Sequence, residues 1–299
     1  MGALIAVGCA GGGPAATAPP CAPLATAAAP VESTTRPQAE PASAAPRSLR
    51  LAPYQSHGHR TVEVMVDGAP IPFLFDTGGG VSFVSPAVAE RVGCAPGGQL
   101  VGYRMRGDDV RFPRCEGLAL EVDGLRLTAA TVGVFDLGKL LPPEWPRLGG
   151  LIALSSFEGR VVTLDLAAGQ VDVDAPPPAT SESTAVNLVR QASGFSVVVV
   201  VPVPSSEGTL WLELDSGSSA PLILAPHAAR ALGMDAEGEG AAGEVMIELP
   251  NVGAVTTAAK VTDMIYDGNI GAPLMERFRW TIDLGRGRVR LEVAAADVN

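Results

Sequence analysis

The sequence predicts an all-β protein built from two similar halves, and three observations carry that expectation. Gly (35) and Pro (26) make up about a fifth of the 299 residues, a density of turn formers that disfavours a helical bundle. Apolar residues at 47% against 18% charged residues are ample for packed cores, and the length corresponds to about two domains. The third observation is an internal repeat. TVEVMV, DGAPIPFLFDTGGGVSFVSPAVAERVG and GGLIALSSFEGRVVTLDLAAGQVDV in the first half are matched, in the same order, by SVVVVVPV, EGTLWLELDSGSSAPLILAPHAARALG and DGNIGAPLMERFRWTIDLGRGRVRLEV in the second. Asp76 and Asp215 stand 139 residues apart, and Pro86 and Pro226 stand 140 apart.

Residues 1–9 hold an apolar run, Ala3 to Val7, ending at Gly8-Cys9. Residues 10–55 read as a disordered tether. From Ala10 to Ser48 the chain has 13 Ala and 8 Pro and almost no large apolar side chain, too little burial to offset the entropy of ordering. A Pro/Ser/Thr stretch at 174–184 divides the remainder into 56–173 and 185–293. No other apolar run approaches the roughly 20 residues that cross a bilayer.

Within each half the pattern is that of short strands. Val62, Val64 and Val66 alternate with Thr61, Glu63 and Met65, a half-buried strand closed by the hairpin signal Asp67-Gly68. Phe73, Leu74 and Phe75 form a continuous apolar run into Asp76, as in a strand covered on both faces. Ser85 caps a short helix with Pro86 in its first turn and Gly93 past its end. Ala225-Pro226 and Gly233 repeat that helix with a poorer cap.

Several function classes are excluded. A net charge of -11 repels phosphate backbones, which argues against a nucleic-acid partner. Three His and four Cys without C-x-x-C or H-E-x-x-H spacing leave no zinc site, so no metal is expected. Gly238 to Gly243 satisfies G-x-G-x-x-G but follows no strand and lies among acidic residues, so no dinucleotide cofactor is expected. Carboxylates remain as the chemical actors.

FLFDTGGG (Phe73 to Gly80) and LELDSGSS (Leu212 to Ser219) each end an apolar strand in Asp, followed by a hydroxyl residue and Gly. The strand delivers the carboxylate to the centre, and Gly permits a tight turn. The hydroxyls of Thr77 and Ser216 can hydrogen-bond backbone across the interface and hold the two turns together. Two carboxylates about 3 Å apart cannot both ionise, so the pair keeps one proton over a broad pH range and can act as base and acid together.

In these motifs the chain resembles the retropepsin-like and pepsin-like aspartic peptidase superfamily, in a two-copy, single-chain bacterial form. The resemblance implies a bilobal acid-protease-like fold, two β-barrel lobes related by a pseudo-twofold axis with a few short helices. It implies catalytic Asp76 and Asp215, supported by Thr77, Gly78, Ser216, Gly217 and Ser218. The family's downstream apolar-apolar-Gly segment corresponds to Asn269-Ile270-Gly271 and Leu151-Ile152-Ala153, with Ala153 in place of Gly. Gly79 stands where Ser or Ala is usual, while Ser218 keeps the hydroxyl, which makes Asp215 the expected carrier of negative charge. Gly97 to Asp109 corresponds to a flap, in which Tyr103 is either the flap aromatic or a surface-loop tyrosine, and Gly238 to Gly243 corresponds to a lid in the second half. The Arg and Asp residues between Arg104 and Arg114 read as a solvated hairpin. A disulfide between Cys94 and Cys115, which flank the flap, is expected in an oxidising compartment.

Gly8-Cys9 resembles a bacterial lipobox, implying a mature protein acylated at Cys9 on the periplasmic side of the cell envelope. The expected function is an aspartic endopeptidase acting as a monomer on peptide or protein substrates. The alternative is a non-catalytic peptide-binding envelope lipoprotein that keeps the cleft.

Overall fold

The alternating valines open the first lobe of the computed structural model, which describes residues 46–55, 58–175, 183–189, 196–234 and 238–294. Cys9, the tether up to residue 45 and the linker interior at 176–182 lie outside the described residues. The first half contributes β1 (Arg47–Arg50), β2 (Ala52–Tyr54), β3 (His59–Val66), β4 (Ala69–Phe75), β5 (Phe83–Val84) and β6 (Gln99–Tyr103). It continues with β7 (Asp109–Val122), β8 (Leu125–Val134), β9 (Gly150–Ile152), β10 (Val161–Asp165) and β11 (Gln170–Val173). The second half contributes β12 (Thr184–Ala185), β13 (Asn187–Val189), β14 (Val198–Ser205), β15 (Gly208–Asp215) and β16 (Leu222–Leu224). It ends with β17 (Ala242–Leu249), β18 (Gly253–Val261), β19 (Gly268–Gly271), β20 (Phe278–Asp283) and β21 (Arg288–Val293). The helices are short: α1 (Pro86–Arg91), α2 (Pro226–Ala231) and α3 (Ala272–Met275). The fold is all-β and bilobal.

The repeat becomes a repeat of sheet order. The first lobe runs β2-β3-β4-β9-β5-β8-β7-β6 and the second β13-β14-β15-β19-β16-β18-β17. The two orders match strand for strand, and among the described residues β6 alone has no counterpart. A third sheet, β1-β11-β10-β20-β21-β12, takes strands from both halves and lies beneath both lobes as their joint floor. Its centre is the antiparallel pair β10–β20, where Thr163 faces Thr281 and their hydroxyl oxygens are 3.0 Å apart. These two residues are equivalent in the repeat, so the pseudo-twofold axis passes between them.

Local chemistry explains the elements that lead to the site. In β3, Val62, Val64 and Val66 are buried while Glu63 and Met65 face outward. Asp67 and Gly68 both adopt positive φ (51° and 76°), as a tight hairpin turn requires. β4 lies between antiparallel β3 and parallel β9, with Phe73 and Phe75 buried. Ser85 accepts the Val88 N–H and caps α1, whereas Ala225 at the start of α2 offers no side-chain acceptor. A small aromatic cluster, Phe83, Phe112 and Phe135, stacks edge to face at 5.0 and 5.1 Å. It joins Leu151 and Ala153 in one apolar patch beneath the β6–β7 hairpin.

Two boundaries differ from the sequence expectation. The tether expected over 10–55 gives way to strands at Arg47, because Leu49, Leu51 and Tyr54 are large enough to bury and do so. Gly238 to Gly243 forms no lid hairpin. Its described residues turn directly into β17, with Gly238 and Gly240 at positive φ. Cys94 and Cys115 are disulfide-bonded with Cα atoms 5.9 Å apart, tying the end of α1 to β7. Closing that 21-residue separation stabilises the fold by about 3 kcal/mol in the chain-entropy description.

The close crossing beside the second-lobe turn is strict about its glycine. A Cβ on Gly271 would stand 1.9 Å from the Ala220 carbonyl oxygen, while Ala153 occupies the equivalent place in the first lobe fully buried. Gly271→Ala should therefore lower stability by about 2 kcal/mol or more, the upper range of overpacking. Ala153→Gly should cost about 1 kcal/mol or less. Urea midpoints at unchanged m values check both, and equal effects would contradict the asymmetry.

Candidate active site

The apolar strands β4 and β15 run into the interface between the lobes and end at Asp76 and Asp215, which are 3% and 0% exposed. Each carboxylate is held by its own turn. Gly78 N donates to Asp76 Oδ1 at 2.9 Å, and Gly217 N donates to Asp215 Oδ1 at 3.0 Å. Each glycine also leaves room for the opposite carboxylate. A Cβ on Gly78 would lie 2.7 Å from Asp215 Oδ1, and one on Gly217 would lie 2.6 Å from Asp76 Oδ2. Any side chain at either position would separate the pair.

Beneath the carboxylates the two turns grip each other. Thr77 Oγ1 donates to the Leu214 carbonyl at 2.7 Å and accepts from Ser216 N at 2.9 Å. Ser216 Oγ donates to the Phe75 carbonyl at 3.2 Å and accepts from Thr77 N at 3.0 Å. Four buried polar groups are thereby satisfied in a twofold arrangement. Further bonds flank the grip: Val197 N to the Gly80 carbonyl at 2.9 Å, and the ion pair Arg60–Glu276 at 2.7 Å.

The carboxylates hydrogen-bond to each other, and burial dominates their titration. Burial pushes Asp76 up to about 6, opposed by hydrogen bonds from the backbone of Gly78, from Asp215 and from the backbone of Gly217 and Gly79. Burial drives Asp215 well above the usual carboxylate range, and the charges of Asp76 and Glu213 add to the effect. Asp76 is therefore the readier carrier of negative charge and Asp215 of the proton. This reverses the expectation that rested on Ser218. The Ser218 Oγ is buried, finds no hydrogen-bond partner among the described residues, and does not donate to Asp215. In the first lobe Leu151 fills the equivalent space, since a Cβ on Gly79 would lie 2.7 Å from its Cδ2.

Three neighbours escaped the motif reading. Asn269, which the segment comparison aligned with an apolar position, is fully buried and its Nδ2 donates to Asp215 Oδ2 at 2.7 Å. Glu213, two residues before Asp215 on the same face of β15, is 3% exposed and pairs in register with Asn269. His59 Nε2 donates to the Gly217 carbonyl at 2.9 Å, a contact across 158 residues that sequence spacing does not show.

The hairpin β6–β7 crosses from the first lobe to the second. Its tip, Arg104 to Asp108, closes on itself with Arg104 N bonded to the Asp108 carbonyl. Ile265 N then donates to the Met105 carbonyl at 3.0 Å, and Arg106 pairs with Glu239. Tyr103 is half-buried at the foot of this tip, opposite Asp109. The neighbouring charges pair locally as Arg111–Asp109 and Arg114–Glu116. Among the described residues no group of three or more His, Cys, Asp and Glu side chains is arranged to hold a metal ion.

Comparisons with known proteins agree with this geometry. The family model described as aspartyl protease matches residues 62–151, the part of the first lobe from β3 to β9 that contains Asp76. That match supports an aspartyl protease-like family. The crystal structure of basic 7S globulin from soybean superposes with a TM-score of 0.52 at 11% identity, covering 83% of this chain and 94% of that one. The likeness shows a shared fold. No curated protein matches the chain.

Two outcomes follow from the grip and the hairpin. Thr77→Val removes one hydroxyl and leaves Ser216 N buried without an acceptor, which should lower stability by roughly 2–4 kcal/mol. A loss under about 0.5 kcal/mol in urea titration would show that the grip is dispensable. Arg106→Ala should speed amide exchange at Ile265 with little change in global stability, because exposed ion pairs contribute roughly 0–1 kcal/mol. Unchanged exchange at Ile265 would mean that the tip is held by other contacts.

Proposed function

We propose that the protein is an aspartic endopeptidase that hydrolyses peptide bonds with a water activated between Asp76 and Asp215. The observation that carries the reading is the pair itself: two buried carboxylates from different lobes, hydrogen-bonded to each other over a reciprocal backbone grip. Such a constellation is costly to bury and has no bonding role that a hydrophobic pair could not fill better, so chemistry is its natural explanation.

The carboxylates divide the work by their proton. Charged Asp76 takes a proton from the water, whose oxygen attacks the scissile carbonyl carbon. Protonated Asp215 gives its proton to the carbonyl oxygen, and a neutral tetrahedral diol results. Asp76 then returns its proton to the amide nitrogen as the C–N bond breaks, and a diol hydroxyl restores the proton to Asp215. Neither group alone completes the cycle. The β6–β7 hairpin, bridging to the second lobe, would enclose an extended peptide and must open to admit one.

Cleavage of an unfolded protein, followed by mass spectrometry across pH 4–9, tests the proposal. Turnover should be blocked by pepstatin and should rise with pH through about 6, as the dyad gives up the first of its two protons. Asp76→Asn and Asp215→Asn should each abolish it, and the double variant should lose little more than either single one. Peptide binding without cleavage by the parent would instead assign a peptide-binding protein that keeps the cleft.

The same reading holds the protein in the cell envelope, anchored through Cys9, and an oxidised Cys94–Cys115 pair suits that compartment. More than one acyl chain at Cys9 would give stable anchoring. Cys9→Ala should move the protein from the membrane to the soluble fraction. A wild-type protein that already fractionates as soluble would refute the anchor.

A further inference from the structure

The two lobes differ at one pair of positions that touches the dyad. In the first lobe, Leu74 on β4 faces Leu151 on β9. In the second, the equivalent register partners on β15 and β19 are Glu213 and Asn269, both buried. An apolar pair has become a carboxyl and a carboxamide beside one catalytic aspartate only.

Besides the Tyr266 hydroxyl, which adjoins both side chains, this pair keeps two buried acceptor oxygens that a proton on Glu213 would match. Asn269 directs Nδ2 to Asp215 Oδ2, which leaves its Oδ1 facing away from the dyad. Asn269 Oδ1 and Glu213 Oε1 are both buried, and both lack a partner among the described residues. Two acceptors on adjacent strands in register cannot bond to each other, but a carboxylic acid and an amide oxygen can. We propose that Glu213 is a third carboxyl of the site, a positioning residue that holds its proton toward Asn269 Oδ1 and so fixes the amide that binds Asp215. On ionising, it loses that bond, presents a negative charge to the dyad and sets the alkaline limit of activity.

The surroundings of Glu213 favour this role. Among the described residues, the titratable groups that face it are Asp215 on its own strand, Asp76 from the opposite lobe and Tyr266 just before β19. Its register neighbour on β14 is Val200. Two of the three titratable neighbours are acidic, and burial, opposed by the Tyr266 hydroxyl and reinforced by the Asp76 charge, pushes Glu213 up to about 8. Tyr266, itself raised by burial, keeps its proton and adjoins both Glu213 and Asn269. Below about pH 8 the amide is oriented and the extra charge is absent. Above it both conditions fail.

The inference rests on the peptidase reading for its effect on rate, but its titration can be read without substrate. A carboxyl raised from 4.5 in the unfolded chain to about 8 in the fold adds stability that is fully present below pH 4.5 and lost as pH rises through about 8. Glu213→Gln keeps a donor for Asn269 and cannot ionise. Its melting temperature minus that of the parent should therefore increase steadily between pH 4.5 and 8. The double variant E213L/N269L, which copies the first-lobe pair, should fold and show the same trend.

In cleavage assays of Glu213→Gln the acid limb near pH 6 should stay in place, and the alkaline limb should move up by at least one pH unit. A melting difference independent of pH in both variants would overturn the proposal whatever the activity. So would an alkaline limb unmoved in Glu213→Gln. Absence of cleavage by the parent at every pH would instead refute the peptidase reading, with the melting difference still deciding whether Glu213 is held protonated.

Discussion

Everything at the centre of this molecule depends on keeping two acidic groups together out of water. Burial of Asp76 and Asp215 disfavours their charged forms, and their proximity disfavours a second charge further. Left to themselves the two turns would separate. The reciprocal bonds of Thr77 and Ser216 prevent that by making each turn an acceptor and donor for the other backbone. Gly78 and Gly217 allow the approach, because neither leaves room for a Cβ between the carboxylates. The joint sheet through Thr163 and Thr281 holds the lobes in register beneath.

On this symmetric frame the working features are asymmetric. Among the described residues the first lobe alone carries β6, and with it the hairpin that reaches Ile265 and Glu239 of the second. The second lobe alone carries the Glu213–Asn269 pair. Symmetry brings two chemically identical groups to one point. Their different neighbours then leave one the readier carrier of charge and the other of the proton, the division that the proposed hydrolysis would need.

Much of the frame was legible because it repeats. Val62, Val64 and Val66 announce a half-buried strand, Ser85-Pro86 announces a capped helix, and the paired Asp-hydroxyl-Gly motifs mark equivalent points of two folds. The start of the first lobe was misplaced because Ala/Pro composition masked Leu49, Leu51 and Tyr54, whose spacing suits burial. Glu213 was missed for a different reason. In LELD it reads as the solvent-facing residue of an alternating strand, and only the apposition of β15 with β19 buries it. A signal existed in the simultaneous change of Leu74 and Leu151 to Glu213 and Asn269 between the halves. Ser218 misled because a hydroxyl at the right spacing need not point at the carboxylate, and His59 reaches Gly217 only through tertiary contact.

The central claim is that Asp76 and Asp215 behave as one buried acid. Carboxyl carbon NMR of the aspartates, titrated in the parent and in Asp76→Asn and Asp215→Asn, tests it most directly. The account predicts two coupled steps in the parent, the first near pH 6 and the second far above the usual aspartate range. Neutralising either residue should shift the titration of the other. Two aspartates that titrate independently near pH 4, each unmoved by the loss of its neighbour, would contradict it.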